Sequence, residues 1–468
     1  MQITTRNPTM QNQSNKTNSR HTWSNTLIYV LTVAGATIGF GATWRFPYLV
    51  GENGGGAYVA VFIIAMIVIG IPMILVENVI GRRAHANSLD AFSPAMQGKK
   101  FSKMWKIAGV MGLIGCFGII AYYMVLGGWV LTYLWNLISG GLDVSVPLSA
   151  TSTREFYLKS IEYSPLMVSI YTLIFVWLNY IVLSRGISNG IEKAMKVLMP
   201  LLFIFLIGIA AKNLTMPGAL EGVKFYLMPD FSKISPKLFI AVLGQVFFAL
   251  SLGFGVMITL SSYLDKGENM LKTALSTGIL NTIIALLAGF MIFPSLFSFG
   301  LEPDSGPKLV FEVLPVVFSH ISFGAFIGAI FFSLLLIAAF TTSITLYEVL
   351  ITVAQEKLAL SRKLVTILVL AATFVCGNLP CILAYGKWRE VMIFGRNIFD
   401  TFDFVSGNIF FVLTALLTSV FVGWVLGNDA KEELQKGCDS PKIISLWFVY
   451  VKYVIPLVIL VVFISGVV

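Results

Sequence analysis

The chain has 468 residues, of which 57% are hydrophobic and only 12% charged, with a mean hydropathy of +0.85. Soluble globular chains carry about 25% charged residues, so a water-facing fold is excluded and a polytopic membrane protein is expected. The net charge of +9 does not signal nucleic acid, because the basic residues gather in short loops such as Arg82-Arg83 and Lys99, Lys100, Lys103 and Lys106. That distribution sets membrane topology.

The chain opens with a polar segment rich in Asn, Gln, Ser and Thr, without a cleavable signal pattern, which reads as a disordered tail over residues 1–23. A spanning helix needs ~20 mostly apolar residues. On that criterion about eleven spans follow, near 24–50, 56–81, 107–139, 165–183, 193–211, 237–264, 269–299, 322–355, 363–382, 403–427 and 442–466. Several exceed what a bilayer requires, so tilt is expected. Basic residues collect in the tail (Arg6, Lys16, Arg20) and in the loops after spans two, four, six and eight (Arg185, Lys193, Lys196; Lys266, Lys272; Lys357, Arg362, Lys363). The positive-inside rule then places the amino terminus in the cytoplasm and, after an odd number of spans, the carboxyl terminus outside.

Two spans carry the same interruption, Gly39-Phe40-Gly41 in the first and Gly253-Phe254-Gly255 in the sixth. Glycine weakens a helix and leaves its polar backbone uncovered. In hydrocarbon such a break persists only where it lines a cavity or binds something. Residues 24–211 and 237–427 thus read as two five-helix units, each led by a broken helix. An odd number of spans per unit turns the second upside down relative to the first, an inverted repeat. Residues 212–236 form an outer loop, and 428–468 a cytoplasmic loop plus span eleven. The fold class is therefore all-α, a polytopic membrane protein with broken helices one and six.

Other features point away from catalysis. His21, His85 and His320 fall in tails or loops, and the four cysteines, Cys116, Cys376, Cys381 and Cys438, lack metal-ligand spacing. No nucleophile–base pair or phosphate loop is visible, so no catalytic residue is assigned and an enzyme is not expected. Glu77 stands alone in the apolar second span. It reads as an acceptor for backbone freed by the breaks, with proton coupling as the alternative. Arg45 and Asp403 are costly charges near membrane depth and hence functional candidates.

The ordered set Trp44-Arg45-Phe46-Pro47, Glu52-Asn53-Gly54-Gly55-Gly56, Gly70-Ile71-Pro72, Gln245-Val246-Phe247-Phe248, Ser251 to Gly255 and Thr341-Thr342-Ser343 resembles the neurotransmitter:sodium symporters. The likeness is to their bacterial amino-acid branch, with the leucine-transporter fold, and it runs through spans one to ten. The resemblance implies sodium-driven import of a small organic molecule, usually an amino acid, across a bacterial plasma membrane. It implies that the substrate carboxylate meets Gly39, Gly41 and the Tyr123 hydroxyl, and the ammonium the carbonyls of Thr37, Phe248, Ala249 and Ser251. The side chain would lie among Ile119, Phe248, Phe254, Thr342 and Leu346, none ionisable, which favours a neutral, hydrophobic or aromatic cargo. Monoamine carriers of the family place Asp where Gly39 stands, so Gly39 favours a cargo with a carboxylate.

The same resemblance assigns an outer gate to Arg45, Gln245 and Asp403 above Tyr123 and Phe248, and an inner gate to Arg20 and Trp23 against Ser262, Tyr263 and Glu356. Glu356 replaces the family's usual Asp. The second sodium site is retained, with carbonyls of Gly35, Ile38 and Ala338 and hydroxyls of Thr341 and Thr342. The first is depleted: Ala42 and Ala249 stand where the family has Asn and Thr, leaving Asn281 and the backbone of Thr37. One coupled Na+ is therefore expected. Ala285, at a position where chloride-dependent relatives have Ser, argues against a chloride requirement. Alternatives are a proton-coupled transporter and a nutrient-sensing receptor that kept the fold. Oligomeric state, a homodimer included, stays open.

Overall fold

The computed structural model describes residues 23–301, 309–438 and 440–467. Among these residues there is no β-strand, only two isolated bridges, Gly55–Pro229 and Ile393–Arg396. Nine helices are long and apolar enough to cross a membrane: Gly56–Ala84, Lys103–Ser139, Pro165–Leu183, Ile187–Leu214, Met270–Ser298, Gly324–Leu358, Arg362–Leu383, Ile398–Leu426 and Pro441–Ser465. They correspond to spans two to five and seven to eleven. Span one is the bent pair Thr26–Thr37 and Gly41–Glu52, turned by 55°. Span six is divided into Pro236–Ala249 and Val256–Ser261. Neither half is long enough to cross alone, so the expected eleven spans are reached only by joining them.

Local chemistry explains the starts and stops. The Asn25 side chain accepts from Ile28 N at 2.9 Å and caps span one. Ser235 caps span six ahead of Pro236, whose missing N–H suits a first helical turn. The first half of span six ends where Ser251, Gly253 and Gly255 take φ of +50°, +83° and +76°. A Cβ on Gly253 would lie 2.3 Å from the carbonyl oxygen of Phe411, so the backbones of spans six and ten touch where only glycine fits.

Several helices begin earlier than hydropathy indicates. Span three extends back to Lys103, span five to Ile187 and span ten to Ile398. Charged or polar first turns such as Lys103–Lys106 are helical outside the hydrocarbon, where an apolar window does not register them. Short amphipathic helices also fill the connections, Ala150–Tyr157, Ala219–Leu227 and Asn428–Gln435 among them.

Side chains satisfy the backbone that the breaks expose. Fully buried Glu77 accepts the Gly253 N–H at 2.6 Å through Oε1, the structural role read for it from sequence. The Ser251 hydroxyl donates to Ala36 O at 3.0 Å, and Gln245 Nε2 to Gly41 O at 2.6 Å. Span seven joins in through Asn281, whose Nδ2 donates to Thr37 O at 3.2 Å and Ala249 O at 3.3 Å. The two breaks are thereby held face to face. We expect Glu77→Leu, which leaves the Gly253 N–H unpaired, to cost about 1–3 kcal/mol. Glu77→Gln, which keeps an acceptor, should cost less. Denaturation of the purified variants compares the two.

Candidate functional site

The two breaks enclose a central cavity of about 20 Å³. Ten of the eleven residues expected around the substrate line it: Thr37, Gly39, Gly41, Ile119, Tyr123, Phe248, Ser251, Phe254, Thr342 and Leu346. Ala249 does not, its carbonyl being turned to Asn281, while Ala36, absent from the sequence reading, does. Such a space holds about one water molecule, so the site is closed down on itself. The closure is explicit at Gly39, where an added Cβ would lie 2.2 Å from the Tyr123 hydroxyl and 2.5 Å from Thr342 Oγ1. The Phe40 N–H, freed by the break, donates to the same Tyr123 oxygen at 3.1 Å. No ionisable carboxylate, amine, guanidinium or imidazole lines the cavity; polarity comes from backbone and hydroxyls.

Above this site lies a second cavity of about 390 Å³, which shares Tyr123 and Phe248 with the first. These two side chains are the partition between them. Arg45 and Asp403 both line the upper cavity. The Arg45 guanidinium lies 4.5 Å from the centre of the Phe248 ring, a cation–π contact that weighs down the partition. Among the described residues Arg45 and Asp403 form no ion pair within 4.0 Å. Gln245, the third residue of the expected gate, is fully buried and donates to Gly41 O.

The opposite side is sealed at Trp23, which donates through Nε1 to Leu260 O at 3.0 Å and packs edge-on against Tyr263 with ring centres 6.1 Å apart. The Ser262 carbonyl bonds His85 Nδ1 at 3.1 Å, and Glu356 accepts from Asn87 Nδ2 at 2.6 Å. Arg20 lies outside the described residues. Beyond Tyr263 a cavity of about 1030 Å³ opens, lined by Thr352, Glu356 and Arg362 among others. At its rim, Lys357, Lys106 and Asn87 outweigh the effect of burial and hold the Asp90 carboxyl low, at about 2.

Sequence reasoning missed one part of this seal. Glu348, buried in span eight, pairs with Arg362 and lies 3.5 Å from the Tyr263 hydroxyl. In the sequence, Arg362 stands among the basic loop residues that mark topology. The available signal was Glu348 itself, a carboxylate inside an apolar span.

At the expected second cation site the Thr342 hydroxyl donates to Gly35 O at 3.0 Å, and Thr341 to Ala338 O at 3.1 Å. Thr342 thus ties span eight to the break in span one through a neutral oxygen pair, while the Thr341 bond stays within span eight. No cluster of His, Cys, Asp or Glu able to hold a metal occurs among the described residues. An uncharged oxygen set suits a monovalent hard cation better than a transition metal. At the first site the Ala42 and Ala249 methyls contribute no oxygen. The Thr37 hydroxyl is returned to Ala34 O at 2.9 Å, and the Asn281 amide N–H groups occupy the carbonyls of Thr37 and Ala249.

Two broken helices facing one closed, uncharged cavity, with a larger recess on either side, are the construction of a transporter that alternates access. The chain belongs to the sodium:neurotransmitter symporter family, whose model matches residues 20–149 and 158–468. This is a family of sodium-dependent transporters, not of enzymes. The chain is 63% identical over 449 residues to an uncharacterized sodium-dependent transporter of Haemophilus influenzae, covering 96% of this chain and 98% of the relative. It is 36% identical to the sodium-dependent transporter YhdH of Bacillus subtilis, over 95% of this chain and 97% of that one. The crystal structure of MhsT in complex with L-phenylalanine superposes with a TM-score of 0.85 at 37% identity, covering 96% of this chain and all of that one.

We expect Gly39→Ala to destabilise the closed site by about 1–3 kcal/mol through overpacking and to depress uptake. Gly208→Ala, in span five with no atom near the added Cβ, should be neutral or stabilising by up to ~1 kcal/mol. Melting temperatures of both variants check the contrast.

Proposed function

We propose that the chain is a symporter that uses sodium to import a neutral hydrophobic or aromatic amino acid across a bacterial plasma membrane. In this reading the amino terminus is cytoplasmic, and residues 24–211 and 237–427 act as inverted units. The observation that carries the proposal is the central cavity, framed by helix ends of both polarities and without an ionisable carboxylate, amine, guanidinium or imidazole. A zwitterion needs N–H groups for its carboxylate and carbonyls for its ammonium, and two broken helices offer both. Glycine at position 39 leaves no acid to pair with a bare amine. MhsT, solved with L-phenylalanine, supports a cargo of this class.

Cargo entering from the outer cavity displaces Tyr123 and Phe248, and their return closes the site behind it. Sodium held by Gly35, Ile38, Ala338, Thr341 and Thr342 ties span eight to the break in span one, so that ion and cargo stabilise the same arrangement. Thr341 and Thr342 supply side-chain oxygens at the second site, whereas Ala42 and Ala249 supply none at the first, so in this reading one Na+ is coupled per substrate and chloride is not needed. At ~100 mV the membrane potential contributes ~2.3 kcal/mol per charge, and a tenfold sodium gradient about 1.4 kcal/mol more. One ion then sustains roughly 500-fold accumulation, and two would sustain on the order of 10⁵.

Tryptamine and tyramine should compete far more weakly than tryptophan and tyrosine in binding assays. Equal competition would remove the carboxylate argument. In proteoliposomes, uptake should rise with sodium at a Hill slope near one, with one net charge moved per zwitterion. A slope near two with two charges would overturn the single-ion reading. The double variant Thr341→Val, Thr342→Val should reach the membrane yet lose sodium-dependent uptake, whereas normal uptake would exclude this cation site.

A further inference from the structure

On the face that carries Trp23 and Tyr263, a recess of about 260 Å³ opens where three connecting segments meet. These are the turn after span two, the turn between spans six and seven, and the helix Asn428–Gln435 with Lys436. Four cations, Arg82, Arg83, Lys266 and Lys436, line it, and among the described residues Glu433 is the one acid in its lining. That acid is already neutralised: Oε1 accepts from Arg82 Nε at 2.8 Å and Oε2 from Lys436 Nζ at 2.6 Å.

Of the other cations, Arg83 is only partly matched and Lys266 is not matched among the described residues. Arg82 is fully buried and committed to Glu433 and to the Glu268 carbonyl at 2.7 Å. Arg83 gives one terminal nitrogen to Gln97 O at 3.1 Å and to Asp429 at 3.2 Å. Lys99 also approaches Asp429, at 3.4 Å. The Arg83 Nε–H is buried and has no acceptor, a costly condition for a charged donor. Lys266 is exposed and enters no ion pair among the described residues.

We propose that this recess binds a phosphate group, carried by an anionic phospholipid or free in solution. A phosphate presents several acceptor oxygens at once, which suits an unmet guanidinium N–H and ammonium groups arriving from separate segments. Basic pockets at the cytoplasmic side of membrane helices take anionic headgroups on the same grounds. The site also has a mechanical connection. Arg82 holds the Glu268 backbone, and the Glu268 carboxylate accepts the hydroxyl of Thr26, first residue of span one, at 2.8 Å. An anion here adds bonds among segments that brace the inner half of that span.

The test uses the full chain and a binding readout independent of transport, so its failure is distinguishable from failure of the symport reading. Thermal midpoints are measured in phosphatidylcholine nanodiscs with and without phosphatidylglycerol. A parallel titration in detergent uses inorganic phosphate at constant ionic strength. Each lysine near an anionic group is worth roughly fivefold in affinity, so Lys266→Gln with Lys436→Gln should weaken binding about 25-fold. Lys266→Gln alone breaks no internal bond and should weaken it about fivefold. A shift with phosphatidylglycerol alone assigns the lipid, a shift with phosphate alone assigns the soluble ion, and a shift with both supports the shared chemistry. No shift with either, or equal shifts in wild type and variants, overturns the proposal.

Discussion

Every polar backbone group that leaves helical geometry inside a membrane must find a partner from the protein, because hydrocarbon supplies none. This requirement organises the molecule. The break in span six frees the Gly253 N–H, and Glu77 is fully buried in span two to accept it. The break in span one frees the Phe40 N–H and the Gly41 carbonyl, which Tyr123 and Gln245 take up. Asn281, Ser251 and Thr342 complete the set by reaching the carbonyls of Thr37, Ala249, Ala36 and Gly35.

The residues that meet this structural need are the ones around which transport is proposed. Tyr123 and Thr342 fill the space at Gly39 where a substrate carboxylate would lie, and Thr342 holds a carbonyl where a cation would lie. Binding therefore exchanges internal hydrogen bonds for bonds to cargo and ion. Such an exchange can be nearly balanced, as a carrier that must release its load requires. The Asn281 amide follows the same logic, bridging the carbonyls of Thr37 and Ala249 with its N–H groups.

Closure on the two sides of the site is built differently. On the side of Arg45, it rests on two aromatic side chains and the Arg45 guanidinium over Phe248, with Asp403 lining the same cavity. On the opposite side it rests on Trp23 and Tyr263, backed by the Glu348–Arg362 pair and by Glu356 with Asn87. Aromatic faces with one cation–π contact close one side, and a denser net of hydrogen bonds and an ion pair closes the other.

Much of this was legible from the chain itself. Apolar length revealed the spans, and the paired Gly-Phe-Gly triplets revealed the breaks, because glycine in hydrocarbon is a conspicuous cost. Motif order indicated ten of the residues that line the central cavity. Hydropathy could not show the polar first turns at Lys103 or Ile187, nor the short helix Asn428–Gln435, because a helix outside the bilayer carries no apolar signature. Nor could it show that Gln245 bonds the Gly41 carbonyl, that Ala36 lines the cavity while Ala249 does not, or that Arg362 pairs with Glu348. Those choices depend on which of several reachable partners lies nearest once the helices pack. Composition and glycine placement by themselves determined a polytopic helical membrane protein with two interrupted spans. Only the tertiary structure decided which side chain satisfies which freed backbone group, because residues as distant in sequence as Thr37 and Asn281 become neighbours only through packing.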